Sequence, residues 1–199
     1  MKKMAFFLAL CCTFAMHAAG VYQSGQEKST VCATCHGPTG VSVNPIWPNL
    51  SGQHATYLAK QLADFKQKKG RADPTMAPMV THLSEQDMAD LAIFYAKQPL
   101  PEGATPKKYL SRGEQLYRGG DVDKHITACI ACHGPKGRGN AQAGFPSLSG
   151  QYAAYTILQL QAFKDNKRSN DLNSIMRDIS ARMSTEDMTA VANYVAGLY

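Results

Sequence analysis

CIACHGPKG at residues 129 to 137 and CATCHGPTG at residues 32 to 40 decide how this chain of 199 residues folds. Each stretch separates two cysteines by two residues and places a histidine directly after the second cysteine. A thiol pair of this kind serves three chemistries: a zinc site, a dithiol–disulfide switch, or covalent attachment of a haem. The fold to be expected depends on which of the three applies.

Spacing and context distinguish these chemistries. Zinc ribbons usually place their CxxC pairs about 15 to 20 residues apart, whereas Cys32 and Cys129 are 97 positions apart. A thioredoxin-like CxxC opens a helix within a βαβ pattern, and this chain has no convincing strand pattern. Covalent haem needs all three residues, because the thiols bind the haem and the histidine ligates its iron. The motifs therefore predict two haem c groups attached through Cys32, Cys35, Cys129 and Cys132, with His36 and His133 as iron ligands.

The two motifs belong to a longer internal repeat. LSGQ at residues 50–53 returns at residues 148–151, 98 positions later. Beyond it, Ser84 and its neighbours return around Ser184, 100 positions later. Similarity at a nearly constant spacing over a whole unit indicates duplicated domains.

A proline-rich segment separates the two copies. Residues 98–106 read QPLPEGATP, with three prolines and one glycine, a composition typical of a linker. We therefore expect an N-terminal domain at 21–98, a linker at 99–106 and a C-terminal domain at 107–199.

The first twenty residues differ in composition from the rest. Lys2 and Lys3 precede an apolar run from Phe6 to Ala15, and small residues follow it. This order is typical of a secretory signal peptide, and the run is too short to span a bilayer. We expect residues 1–20 to be a cleaved leader, so that the mature protein is exported to the periplasm.

Each copy has the periodicity of helices, which predicts an all-α fold. Short helices are expected before each CxxCH motif, around residues 25–31 and 110–118. Ser84 with Asp87 resembles a capping box at the start of a last helix, and Ser184 with Asp187 repeats it. Apolar faces are expected in the middle helices, formed by Tyr57, Leu58, Leu62 and Phe65 in the first copy and by Tyr155, Leu158, Gln159, Leu160 and Phe163 in the second.

The sixth iron ligand decides whether a haem passes electrons or binds a substrate. At the offset of 100, Met76 aligns with Met176, whereas Met79 aligns with Ile179. We expect Met76 and Met176, in loops before the last helices, to ligate the two irons, with Met79 as the reserve in the first domain. The remaining candidates have weaker support: Met88, Met188 and Met183 fit packing positions, and His54, His82 and His125 have no histidine counterpart.

Together, the two CxxCH units, the leader, the proline-rich joint and the repeated methionine resemble the di-haem cytochrome c4 family from about residue 22 to 199. The phrases GFPSLSGQ and YRGGDVDK add to this resemblance. It implies that the carbonyls of Pro48 and Pro146 accept the second ring proton of the CxxCH histidines, and that Trp47 and Phe145 pack by the haems.

The same resemblance implies what the protein does. It implies a periplasmic electron carrier that is often associated with the inner membrane. It also implies that a pseudo-twofold axis relates the two domains and that haem propionates lie near the domain interface. The implied partners are transient redox proteins, namely a quinol-oxidising donor complex and a terminal oxidase or other cytochromes. Two other roles stay open: a di-haem enzyme acting on peroxide or thiosulfate, and a haem subunit bound to a flavoprotein dehydrogenase.

Net charge argues against nucleic acid as a partner. The full chain carries +6, and loss of the two leader lysines leaves +4. Four haem propionates bring this total close to neutrality, so a strongly basic surface for phosphate binding is not expected.

Overall fold

The computed structural model describes residues 19–198, and most of the predicted leader therefore lies outside the described residues. The first copy forms α1 (Tyr22–Lys28), α2 (Thr30–His36), α3 (Ala55–Gln67), α4 (Met76–Val80) and α5 (Glu85–Ala96). The second forms α6 (Lys107–Arg118), α7 (Ile130–His133), α8 (Ala153–Lys164), α9 (Ile175–Ala181) and α10 (Thr185–Ala196), with a 3-10 turn at Leu172–Ser174. The β-structure of residues 19–198 is limited to isolated β-bridges. The expected all-α fold with two tandem domains is confirmed.

In each domain the first helix packs closely against the last one at a glycine. A Cβ atom on Gly25 of α1 would lie 2.0 Å from the carbonyl oxygen of Asp90 in α5. A Cβ atom on Gly113 of α6 would lie 2.6 Å from the carbonyl oxygen of Ala190 in α10. The backbones of these helices therefore approach more closely than any larger residue permits.

The last helix of each domain begins at the predicted capping box. The Ser84 hydroxyl accepts from the Asp87 N–H at 3.1 Å, and the Ser84 N–H donates to the Asp87 carboxylate at 2.8 Å. Ser184 and Asp187 make the same pair of bonds, both at 3.1 Å. These bonds satisfy amide groups that the first turn of a helix leaves without partners.

The two apolar cores lie between these terminal helices and the middle helix of each domain. The N-terminal core contains Leu58, Leu91, Ala92, Phe94 and Tyr95. The C-terminal core is larger and contains Leu116, Tyr117, Ile126, Leu160, Met183, Met188, Val191, Tyr194, Val195 and Leu198. Met188 and Met183 are 1% and 2% exposed, and Met88 is 5% exposed, so the predicted packing roles of these methionines are confirmed.

Three local predictions were wrong. The helix expected around residues 25–31 is two helices, interrupted at Ser29, whose hydroxyl donates to the Gln26 carbonyl and competes with the helical bonds. Leu158 is 50% exposed, whereas Leu160 is buried, because residues two apart point to different sides of a helix. The segments before the last helices, expected as loops, are the short helices α4 and α9.

The domains meet through a polar interface with reciprocal contacts. The Arg71 guanidinium donates to the Tyr155 hydroxyl at 2.7 Å, and the Arg168 guanidinium donates to the Tyr57 hydroxyl at 2.8 Å. The two arginines also face each other in an antiparallel bridge. This reciprocity is what a pseudo-twofold axis between duplicated domains produces.

Within residues 19–198, none of the helices combines the length and the hydropathy that a bilayer span requires.

Candidate haem sites

Each CxxCH motif lies at the end of a short helix. Cys32, Cys35 and His36 belong to α2, while Cys129 is the N-cap of α7, which ends at His133. Residues three apart share a helix face, so the two thiols of a motif lie on one side. All four cysteines of the two motifs are half-buried, and none of them forms a disulfide.

Glycine ends both helices directly after the histidine. Gly37 has φ 76° and ψ 157°, and Gly134 has φ 75° and ψ 168°. Only glycine adopts this region readily. At Gly37 a Cβ atom would also lie 2.1 Å from the Val41 carbonyl oxygen. The chain therefore turns away at this point and leaves the histidine as the last helical residue.

Each motif histidine contacts a proline carbonyl. His36 Nδ1 lies 2.9 Å from the Pro48 oxygen, and His133 Nδ1 lies 3.0 Å from the Pro146 oxygen. A carbonyl oxygen accepts and cannot donate, so Nδ1 must carry the proton in both rings. The lone pair of each ring is consequently on Nε2, the tautomer that a metal ligand needs.

Burial keeps these groups neutral. Both histidine side chains are 6% exposed, and this burial lowers their pKa, although the bonds to Pro48 and Pro146 act in the opposite direction. Burial also raises the pKa of the Cys32 thiol, and it raises that of Cys129 to about 11. A neutral imidazole can ligate a metal, whereas thiols with raised pKa values are poorly suited to a dithiol switch.

The structure places the repeated methionines on α4 and α9. Met76 is half-buried and is the first residue of α4. Its N–H donates to the Asp73 carboxylate at 2.9 Å. Met176 is half-buried in α9 and packs against the C-terminal core, as Cys129 does. Met79, the reserve candidate, is 42% exposed.

The aromatic residues directly before the two prolines are Trp47 and Phe145. The ring centroid of Phe145 lies 6.3 Å from that of His133, in a tilted arrangement. Trp47 is half-buried in the corresponding position of the first domain.

The donor set fits haem better than the two other chemistries. Among residues 19–198, no three His, Cys, Asp or Glu side chains cluster so that they could hold a metal ion. Arg71 and Arg168, only 8% and 6% exposed, have no carboxylate within ion-pair distance in that part of the chain. Buried guanidinium groups of this kind suit an anionic cofactor, since buried charges need a partner.

Sequence reasoning missed the interface residues. Arg71 and Arg168 lie 97 positions apart, and Gln53 and Gln151 lie 98 apart within LSGQ. Their recurrence at the repeat spacing was the available signal. It did not reveal that each residue contacts the opposite domain.

Comparisons with known proteins agree with this arrangement. The Cytochrome c family model matches residues 22–97 and 110–198. Cytochrome c4 of Thiocapsa roseopersicina is 47% identical over 178 residues, covering 88% of this chain and 92% of the relative. The crystal structure of reduced recombinant cytochrome c4 from Pseudomonas stutzeri matches with a TM-score of 0.88 and 41% identity, covering 91% of this chain and 100% of that one.

A relative with a different name matches at lower identity. The thiosulfate dehydrogenase electron acceptor of Stutzerimonas stutzeri (strain A1501) is 37% identical over 184 residues, covering 89% of this chain and 84% of the relative. The tandem family matches indicate two covalently attached haem c groups, and the cytochrome c4 relatives are electron-transfer proteins rather than enzymes. The chain belongs to the di-haem cytochrome c4 family.

Proposed function

We propose that this protein is a periplasmic carrier that passes single electrons from a quinol-oxidising complex toward a terminal oxidase or other cytochromes. The observation that carries the proposal is the pair of matching sites, each with a buried histidine whose Nδ1–H is held by a proline carbonyl. The bound haem supplies a reversible one-electron couple between ferric and ferrous iron. Redox partners bind transiently, because a carrier must release each partner after every electron.

The residues that would ligate the two irons are His36 with Met76 in the N-terminal domain and His133 with Met176 in the C-terminal domain. Cys32 and Cys35 hold one haem covalently, and Cys129 and Cys132 hold the other. The Pro48 and Pro146 carbonyls keep each imidazole oriented with Nε2 available to the iron. A histidine–methionine pair leaves no open position, which suits electron transfer rather than substrate turnover.

Arg71 and Arg168 are the residues that hold haem propionates. Each guanidinium is buried at the interface, lies over a phenylalanine ring of its own domain and lacks a carboxylate partner among the described residues. Bound propionates would provide negative charge at these two guanidinium groups. This arrangement neutralises charge that burial otherwise makes costly.

The mature protein begins after a leader at residues 1–20, with domains at 21–98 and 107–199 joined by the linker at 99–106. It works in the periplasm and associates peripherally with the inner membrane. Mass spectrometry of the exported protein gives its first residue and its number of haem additions. Retention of the leader on a protein found in the cytoplasm contradicts this placement.

The ligand assignment is tested with Met76→Ala, Met176→Ala and the control Met79→Ala. Each of the first two variants opens one iron to carbon monoxide, so the ferrous absorption spectrum changes for half of the haem. Each variant also lowers the potential of that haem, because a thioether favours ferrous iron. Met79→Ala leaves both the spectrum and the potentials unchanged. The assignment fails if Met79→Ala opens a haem while Met76→Ala does not.

The partner assignment is tested by stopped-flow spectroscopy with purified complexes. Reduced protein mixed with a terminal oxidase is reoxidised within a catalytic turnover, and oxidised protein is reduced by a quinol-oxidising complex. A second candidate function, acceptor of electrons from a thiosulfate-oxidising enzyme, is favoured by the relative from Stutzerimonas stutzeri that bears that name. Rapid reduction by such an enzyme with thiosulfate, and slow reaction with the respiratory complexes, selects this second candidate.

A further inference from the structure

Two buried glutamines cross the domain interface and bind the backbone of the opposite domain. The Oε1 atom of Gln151 accepts from the Asn49 N–H at 3.0 Å, and its Nε2 donates to the Asn49 carbonyl at 3.0 Å. Gln53 makes the same two bonds to Ser147, both at 2.9 Å. The exposed fractions of these four residues are between 5% and 9%, so water does not compete with the bonds.

The bonded amides adjoin the histidine sites. The Asn49 N–H and the Pro48 C=O belong to one peptide unit, and the Pro48 oxygen accepts from His36 Nδ1 at 2.9 Å. A continuous chain of hydrogen bonds therefore runs from the His36 ring through that peptide to Gln151. An equivalent chain runs from His133 through the Pro146–Ser147 peptide to Gln53 of the other domain.

The orientation of each glutamine amide is determined by its surroundings. Besides the N–H across the interface, Oε1 of Gln53 accepts from the His54 N–H at 3.0 Å, and Oε1 of Gln151 accepts from the Tyr152 N–H at 3.0 Å. An inverted amide would direct its NH₂ group at two N–H donors and lose both bonds. The acceptor therefore faces the proline peptide in both domains.

We propose that Gln53 and Gln151 are positioning residues that act in a crossed manner, each setting the hydrogen-bond strength of the haem-ligating histidine in the opposite domain. An acceptor at the N–H of a peptide polarises the unit and makes its carbonyl oxygen a stronger acceptor. A stronger acceptor at Nδ1 gives the imidazole more anionic character, which favours ferric iron. The inference rests on the proposed ligation by His36 and His133.

The test compares Gln151→Met and Gln53→Met in the haem-loaded protein, with Tyr152→Phe as control. Methionine matches glutamine in length and excludes water but accepts no comparable bond. The Tyr152 hydroxyl also crosses the interface, where it donates to the Ser42 carbonyl, but it does not touch either proline peptide. Two quantities are measured. The first is the position of the Nδ1–H proton resonances of His36 and His133 in the reduced protein. The second is the potential of each haem, obtained by following the spectrum during stepwise reduction.

In Gln151→Met the His36 Nδ1 proton moves upfield and the N-terminal haem shifts to higher potential, while His133 and its haem stay unchanged. Gln53→Met gives the reverse pattern, and Tyr152→Phe moves neither proton. Equal shifts at both histidines, a shift in the glutamine's own domain, or no shift overturns the proposal. If the methionine variants fail to fold, Gln151→Asn keeps an amide but is one methylene too short for either bond to the Asn49 peptide, and it must move only the His36 proton, upfield; a shift of His133 instead, or no shift, overturns the proposal.

The same spectra separate this inference from the ligand assignment. Ring protons of an iron-bound imidazole lie over the porphyrin and are displaced upfield by its ring current in any of these variants. Absence of that displacement at His36 or His133 overturns the ligation, and the inference with it. Displaced ring protons without the crossed pattern overturn the inference alone.

Discussion

Replacement of Gly25 by alanine tests the helix contact on which the N-terminal domain depends. The added Cβ would lie 2.0 Å from the Asp90 carbonyl oxygen and 2.8 Å from Cβ of Phe94. Optimal contact between carbon atoms is about 3.5 Å. The obstructing oxygen belongs to the backbone within α5 and cannot rotate away as a side chain does. The first helix must therefore move outward by about 1 Å, which disturbs its packing along its whole length.

Two opposing terms determine the size of the effect. Overpacking of a close contact costs about 1 to 3 kcal/mol, and the backbone obstruction places this variant at the upper end. Alanine recovers about 0.5 to 1 kcal/mol through its greater helix propensity. The net loss of unfolding free energy is about 2 kcal/mol, which corresponds to a roughly thirtyfold change in the unfolding equilibrium.

The assay is guanidinium denaturation of the haem-loaded protein, followed by far-ultraviolet circular dichroism. Gln26→Gly, at the exposed neighbouring position of α1, measures helix propensity without the contact and should lose about 0.5 to 1 kcal/mol. Gly113→Ala should cost less than Gly25→Ala, because its nearest backbone atom, the Ala190 oxygen, is 2.6 Å away. The reasoning is refuted if Gly25→Ala is as stable as the parent protein or more stable.

Two further predictions concern charge. Burial raises the pKa of Asp187, but bonds from Lys124 and Arg112 outweigh it and hold that pKa well below its usual range; Asp187→Asn should therefore lose about 1 to 2 kcal/mol at neutral pH. This difference in denaturation free energy between variant and parent should begin to shrink as the pH falls below about 3.9, the ordinary pKa of an aspartate, and should vanish only below the lowered pKa of the folded protein; a difference that does not shrink in acid contradicts the ion-pair origin. The second prediction is that the C-terminal haem has the higher reduction potential. Ferric iron carries one more positive charge than ferrous iron, so nearby positive charge disfavours it, and residues 107–199 carry +4 against +1 for residues 21–98. Three charges at about 15 Å in water are worth roughly 30 to 40 mV, and potentiometry on Met76→Ala and Met176→Ala assigns each wave; a higher N-terminal potential means that local dipoles dominate.

Local signals were sufficient for the fold class and for the cofactor. Haem attachment needs two thiols and a histidine within five residues, so a short motif can specify it. The capping boxes are equally local, because a side chain at the N-cap bonds an amide three residues later. The duplication was visible because both copies kept a nearly constant offset, and this offset also selected Met76 and Met176.

The predictions that failed depended on surroundings that the sequence pattern did not show. The segments carrying Met76 and Met176 were expected as loops, yet they form α4 and α9. Helices of this length are marginal in isolation, so packing against α3 and α8 supports them. Leu158 shows the same limit, since a leucine in a helix does not reveal which side faces the core.

The amino-acid sequence by itself determined the haem chemistry, the two-domain organisation and the caps of the last helices, because each of these requires residues close together or at a repeated spacing. Only the tertiary structure decided that Gln53 and Gln151 bind the opposite domain and that Arg71 and Arg168 are buried at the boundary. Those contacts join residues about 100 positions apart. No local periodicity encodes them, because they form only when two folded surfaces become complementary.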